Sequence, residues 1–62
     1  MTDYQMGITV MDYLQSLGVN MIAIGEAIDN KNLKKSYQLI QDNPTISKEE
    51  FLDKMEIEEE NY

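Results

Sequence analysis

Carboxylates carry most of the ionisable chemistry in this chain. Glu49, Glu50, Asp53, Glu56, Glu58, Glu59 and Glu60 crowd its last quarter. Paired carboxylates can perform general acid–base work, hold a hard cation or meet a basic surface. Acid–base catalysis needs a group with a tuned pKa inside a pocket. These acids fall on polar helix faces or in a tail, and 62 residues enclose little space. The chain has no His, no Cys, no Trp and no Arg. That removes the usual nucleophile–base pairs, thiolate and imidazole metal ligands, and bidentate phosphate grips. Asp29-Asn30-Lys31-Asn32 has some of the residues of a calcium loop. It lacks the alternating carboxylates, the glycine and the distal Glu of an EF-hand. The expectation is therefore no enzyme, no catalytic residue, no cofactor and no metal site.

The charge is unevenly spread. Residues 1–46 hold five acids and three lysines, while residues 47–62 hold seven acids and two lysines. The net charge of −7 thus divides into −2 and −5. An acidic arm follows a nearly neutral body. Glu49, Glu50, Asp53 and Glu56 are its candidate contacts for a partner with a basic surface. Electrostatic complementarity would speed such an encounter and select the partner.

Helix signals position these residues, and strand signals are absent. Val10, Tyr13, Leu14 and Leu17 recur at the spacing of one helix face. Thr9 with Asp12 could cap that helix, and Thr2 with Gln5 marks an earlier start. The earlier start places Gly7 inside the helix, at a cost of about 1 kcal/mol relative to Ala. Gly18 ends the first helix and Asn20 caps the second. Met21, Ile24, Ala27 and Ile28 are the expected buried stripe of the second helix, widened by Ile22. Gly25 lies in mid-helix, where either close packing by another helix or a binding surface would explain it. Leu33, Tyr37 and Ile40 define a third helix ending near Asp42, ahead of Pro44. Ser47 with Glu50 forms a capping box, and Ile46 with Phe51 a hydrophobic staple. Phe51, Leu52 and Met55 give the fourth helix its apolar side. It should fray after about Ile57, because three consecutive glutamates oppose the helix dipole.

The fold expected is all-α: a compact three-helix bundle with a fourth, acidic C-terminal helix. Residues 1–57 make one domain and residues 58–62 a frayed acidic tail. A chain this short is near the lower limit for an independent core. Without Cys its stability rests on packing, capping or self-association.

Residues 12–40 resemble the UBA-like three-helix pattern in Leu17-Gly18-Val19, Glu26-Ala27-Ile28, Asn32-Leu33, Ser36 and Leu39-Ile40. The second loop is shorter than in that family, and Val19 stands where an aromatic is usual. The resemblance implies a partner-binding patch at Leu17, Gly18, Val19, Leu39 and Ile40. The bland alternative for those five is a helix stop and core positions. Fold alone would not prove function.

The same segment also resembles a helix-turn-helix, through Tyr13, Leu17, Gly18, Val19, Ile24 and Ala27. Its would-be recognition helix, Met21-Ile22-Ala23-Ile24-Gly25-Glu26, offers no Arg, Lys, Gln or Asn to base edges. The net acidity also opposes phosphate binding. Direct nucleic-acid binding is not expected.

Met6 and Met11 are further interface candidates, since methionine adapts to irregular partners. No stretch approaches the ~20 apolar residues of a membrane span. The start, Met1-Thr2-Asp3-Tyr4, lacks the basic and apolar regions of a signal peptide. A cytoplasmic setting is expected, with no membrane partner. Abundant Ile, Lys and Asn without Arg suit an AT-rich genome, bacterial or phage.

The expected function is non-catalytic: binding a protein partner and modulating or inhibiting it. Two readings stand beside it. One is a DNA-mimic inhibitor acting through the acidic helix. The other is a structural homodimer.

Overall fold

The computed structural model describes residues 2–59. Four helices follow one another: α1 (Asp3–Ser16), α2 (Met21–Ala27), α3 (Leu33–Asp42) and α4 (Lys48–Met55). Among the described residues there is no strand, and the architecture is an all-α bundle.

The earlier of the two start signals sets α1. Thr2 Oγ1 accepts the Gln5 N–H at 3.2 Å, and Gln5 Oε1 accepts the Thr2 N–H at 3.2 Å. This reciprocal box satisfies two donors that a helix start would otherwise leave bare. Asp3 adds a favourable negative charge in the first turn. Thr9, the alternative cap, is instead an interior residue whose hydroxyl donates to the Gln5 carbonyl at 2.9 Å.

Gly18 stops α1 as expected, with φ at +80°. The Gly18 N–H donates to Gln15 O and the Val19 N–H to Leu14 O, both at 3.0 Å. This is a Schellman stop, and its apolar pair, Val19 and Leu14, is buried. Asn20 then caps α2, its Oδ1 accepting the Ala23 N–H at 2.9 Å.

The buried side of α2 differs from the expected stripe. Ala23, Ile24 and Ala27 face inward, while Met21 is 64% and Ile22 52% exposed. The preceding turn buries Val19 together with Ile24. That fixes the rotation of α2 and carries Ala23 and Ala27 inward. Met21, nearly opposite on a 100° wheel, is carried outward.

Asp29 to Asn32 form the turn that leads into α3. The Asp29 carboxylate accepts the Lys31 N–H at 2.9 Å, and Asn32 Nδ2 donates to Glu26 O at 2.9 Å. Leu33, Ser36 and Ile40 bury one side of α3, with Tyr37 and Leu39 half-buried beside them. The helix ends at Asp42, before Asn43 and Pro44.

Ser47 Oγ accepts the Glu50 N–H at 3.2 Å, which supplies one half of the predicted box. Ile46 and Phe51, the staple pair, are buried. α4 therefore packs on the bundle through Phe51, Leu52 and Met55. Its end is a second Schellman stop rather than a fraying turn. The Glu56 N–H donates to Asp53 O at 3.1 Å and the Ile57 N–H to Leu52 O at 3.0 Å. Glu56 takes the left-handed position, with φ 58°.

α1 lies chiefly against α3, with α2 packed on α1 and α4 on α3. Tyr13 on α1 donates its hydroxyl to Ile46 O at 2.6 Å, tying the first helix to the entry of the last. The radius of gyration is 10.4 Å, against about 10.6 Å for a folded domain of this length. No helix among the described residues is long and apolar enough to cross a membrane.

Candidate functional site

Two of the five residues in the resemblance-derived patch belong to the core. Val19 and Ile40 are each 6% exposed. Leu17 and Leu39 are half-buried and pack against that core. Gly18 is exposed, and its carbonyl accepts from Lys48 Nζ at 3.4 Å. The five therefore do not form an open apolar patch.

The acidic candidates are all at the surface. Glu49, Glu50, Asp53 and Glu56 are exposed, away from the side of α4 that carries Phe51, Leu52 and Met55. Among the described residues no group of three or more acidic side chains could hold a metal ion.

Glu59, within the acidic arm expected from sequence, folds back onto the bundle. Ile57 is buried, and the chain then returns to the α1–α2 turn. Glu59 Oε2 accepts the Asn20 N–H at 2.7 Å, and Glu59 Oε1 pairs with Lys48 Nζ at 2.7 Å. The hydrogen bond from the Lys48 ammonium holds the Glu59 carboxyl below its ordinary range, and the Asn20 N–H adds to this. Glu58 points to solvent. Glu60 and Tyr62, placed in the tail by the sequence, lie outside the described residues.

Among the described residues, apolar surface is open at two places. The first is the outward face of α2. On a helical wheel Gly25 falls between Met21 and Ile22, opposite the buried Ala23, Ile24 and Ala27. A Cβ added at Gly25 meets nothing within 4 Å. Close packing among the described residues therefore does not explain Gly25. The second surface is a groove of about 340 Å³. Tyr4, Gly7, Ile8 and Met11 line it from α1, and Ile28 and Leu33 from either end of the α2–α3 turn. Gly7 likewise has no heavy atom within 4 Å of an added Cβ. Tyr4 is 77% exposed at this groove.

Sequence periodicity pointed away from the α2 face, because it assigned Met21 and Ile22 to the core. The signal available was Gly25, a costly residue in mid-helix beside two large apolar side chains. Of the groove, Met11 is an interface candidate by sequence. Both surfaces can take up apolar groups from another molecule, and both lack the paired ionisable groups that acid–base chemistry uses.

No protein-family model matches the chain, and neither a curated protein nor a solved structure matches it.

Proposed function

We propose that this protein is a non-catalytic interaction module that binds a protein partner through the outward face of α2 and modulates it. One observation carries the reading: Met21, Gly25 and Ile22 form an exposed apolar strip with bare backbone at its centre. Glycine inside a helix costs about 1 kcal/mol relative to Ala. No neighbour among the described residues requires it at position 25. A partner's backbone or helix approaching closely there would require it. Gly7, on the wall of the apolar groove, repeats the pattern on α1. A cytoplasmic setting fits a chain without cysteine.

The test uses Gly25→Ala as bait beside the wild type, in lysate of the cell that makes the protein. The expected result is a stoichiometric partner retained by the wild type and lost by G25A, although G25A is the more stable fold. Equal retention by both baits would remove α2 from the interface.

The DNA-mimic reading draws support from the open carboxylates of Glu49, Glu50, Asp53 and Glu56. Truncation at Ser47 is no test of it, because α4 supplies Phe51, Leu52 and Met55 to the core. Neutralising Glu49, Glu50 and Asp53 to their amides leaves that core intact. Loss of the partner in the amide variant, with retention in G25A, would favour this reading. The homodimer reading has less support. The surface area of 4318 Å² is close to the ~4,100 Å² of a folded monomer of this mass.

A further inference from the structure

The segment after α4 makes a contact that the interaction reading does not use. Glu56 takes a left-handed conformation, with φ 58° and ψ 40°, although it carries a Cβ. At the equivalent position of the α1 stop the chain has glycine. The turn at Glu56 sends Ile57 back onto the bundle and brings Glu59 to the α1–α2 turn. There Glu59 spans two groups, the Asn20 N–H and the Lys48 ammonium, each at 2.7 Å. Lys48 also reaches Gly18 O at 3.4 Å. The first residue of α4 and the end of the strap thus hold the same turn between them.

This closure is weaker than the core beneath it. Among the described residues it rests on the apolar side chain of Ile57 and on a carboxylate near the surface. Its ion pair is open to solvent on the Lys48 side, where 36% of the side chain is exposed. Salt screens such a pair. Its hinge residue occupies a region that side chains rarely adopt. Elements with few buried contacts open locally while the rest of a domain stays folded.

We propose that residues 56–59 are a latch that opens as a unit while α1 to α4 remain folded. In the open state Ile57 leaves its place in the core, and Leu52, its expected partner across the Schellman stop, loses its cover. A further apolar surface is then exposed. This device is independent of the α2 interface and stands or falls without it.

Amide hydrogen exchange of the full chain, read residue by residue by NMR, tests the latch. Glu59→Ala is expected to speed exchange at Asn20 by about two- to fivefold, the range for a partly exposed ion pair. Leu14 and Ile40, in the helices beneath, keep their wild-type rates. Glu56→Gly relaxes the hinge and slows exchange at Asn20. In wild-type protein, ~0.5 M salt raises the Asn20 rate towards that of E59A, because the Debye length falls to a few ångströms. That arm needs no substitution, so it stands even where a variant fails to fold. Exchange that quickens equally at Asn20, Leu14 and Ile40 would make the strap part of the global folding unit and overturn the latch. So would an Asn20 rate that ignores both E59A and salt. An E56G rate at Asn20 equal to or above wild type overturns the hinge role of Glu56.

Discussion

Ser36 Oγ donates to the Ala27 carbonyl oxygen at 2.8 Å, with Ser36 fully buried between α2 and α3. A hydroxyl has one proton to give, so the Met55 sulphur 3.7 Å away is a secondary contact. The bond satisfies a carbonyl in the last turn of α2, where the intrahelical ladder has run out. Ser36→Ala leaves that carbonyl buried without its donor. The expected loss is about 1–3 kcal/mol in denaturant unfolding. A loss below about 0.5 kcal/mol would mean that water replaces the hydroxyl.

The two Schellman stops predict opposite responses to one exchange of residue type. Gly18 and Glu56 hold the same left-handed position at the ends of α1 and α4. Glu56→Gly removes the steric penalty of a Cβ there, which is roughly 1 kcal/mol. The greater freedom of glycine in the unfolded chain offsets part of that gain. A net stabilisation of about 0.5 kcal/mol is expected. Gly18→Ala is expected to destabilise by about 1 kcal/mol, for the same steric reason. Thermal unfolding of the pair checks both signs.

Gly7 and Gly25 should behave unlike Gly18. Neither has a positive φ, and an added Cβ touches nothing at either site. Gly7→Ala and Gly25→Ala are each expected to stabilise by about 1 kcal/mol. For a domain of this size that raises the melting temperature by about 4–8 °C. A lower melting temperature for either variant would mean that its glycine serves the fold itself. The case for a partner at that surface would then be lost.

Glu59 gives stability a pH dependence whose sign is fixed by its lowered pKa. The folded carboxyl ionises at lower pH than the unfolded one, so the unfolded state binds the proton more readily as pH falls. The contribution is complete above the ordinary glutamate range. It declines as pH drops through that range, and it is gone below the depressed folded value. Glu59→Gln removes this contribution. The stability difference between wild type and E59Q is expected to be constant near neutrality and to shrink on acidification. A difference that grows towards acid would contradict the Lys48–Glu59 pairing.

Much of the helical frame was legible because its signals are local. Thr2 with Gln5, Gly18, Asn20 and Ser47 act over three to five residues, and each holds the role its type implies. Composition likewise determined the acidic surface of α4, since Glu49, Glu50 and Asp53 alternate with a buried stripe whose period is set by the helix itself. What tertiary structure decided lies where local signals compete or stop. Thr2 and Thr9 both read as caps, and only a completed box with packing of the whole of α1 selects the first. The rotation of α2 about its axis depends on Val19 and Ile24 being buried together, and that rotation moved Met21 from the expected core to the surface. Glu59 reads as tail because it lies in a run of glutamates; its partners are Lys48, at the far end of α4, and Asn20, 39 residues away. Helix propensity is a property of a few adjacent residues. Which face is buried, and which charge is paired, depends on groups that only folding brings within reach.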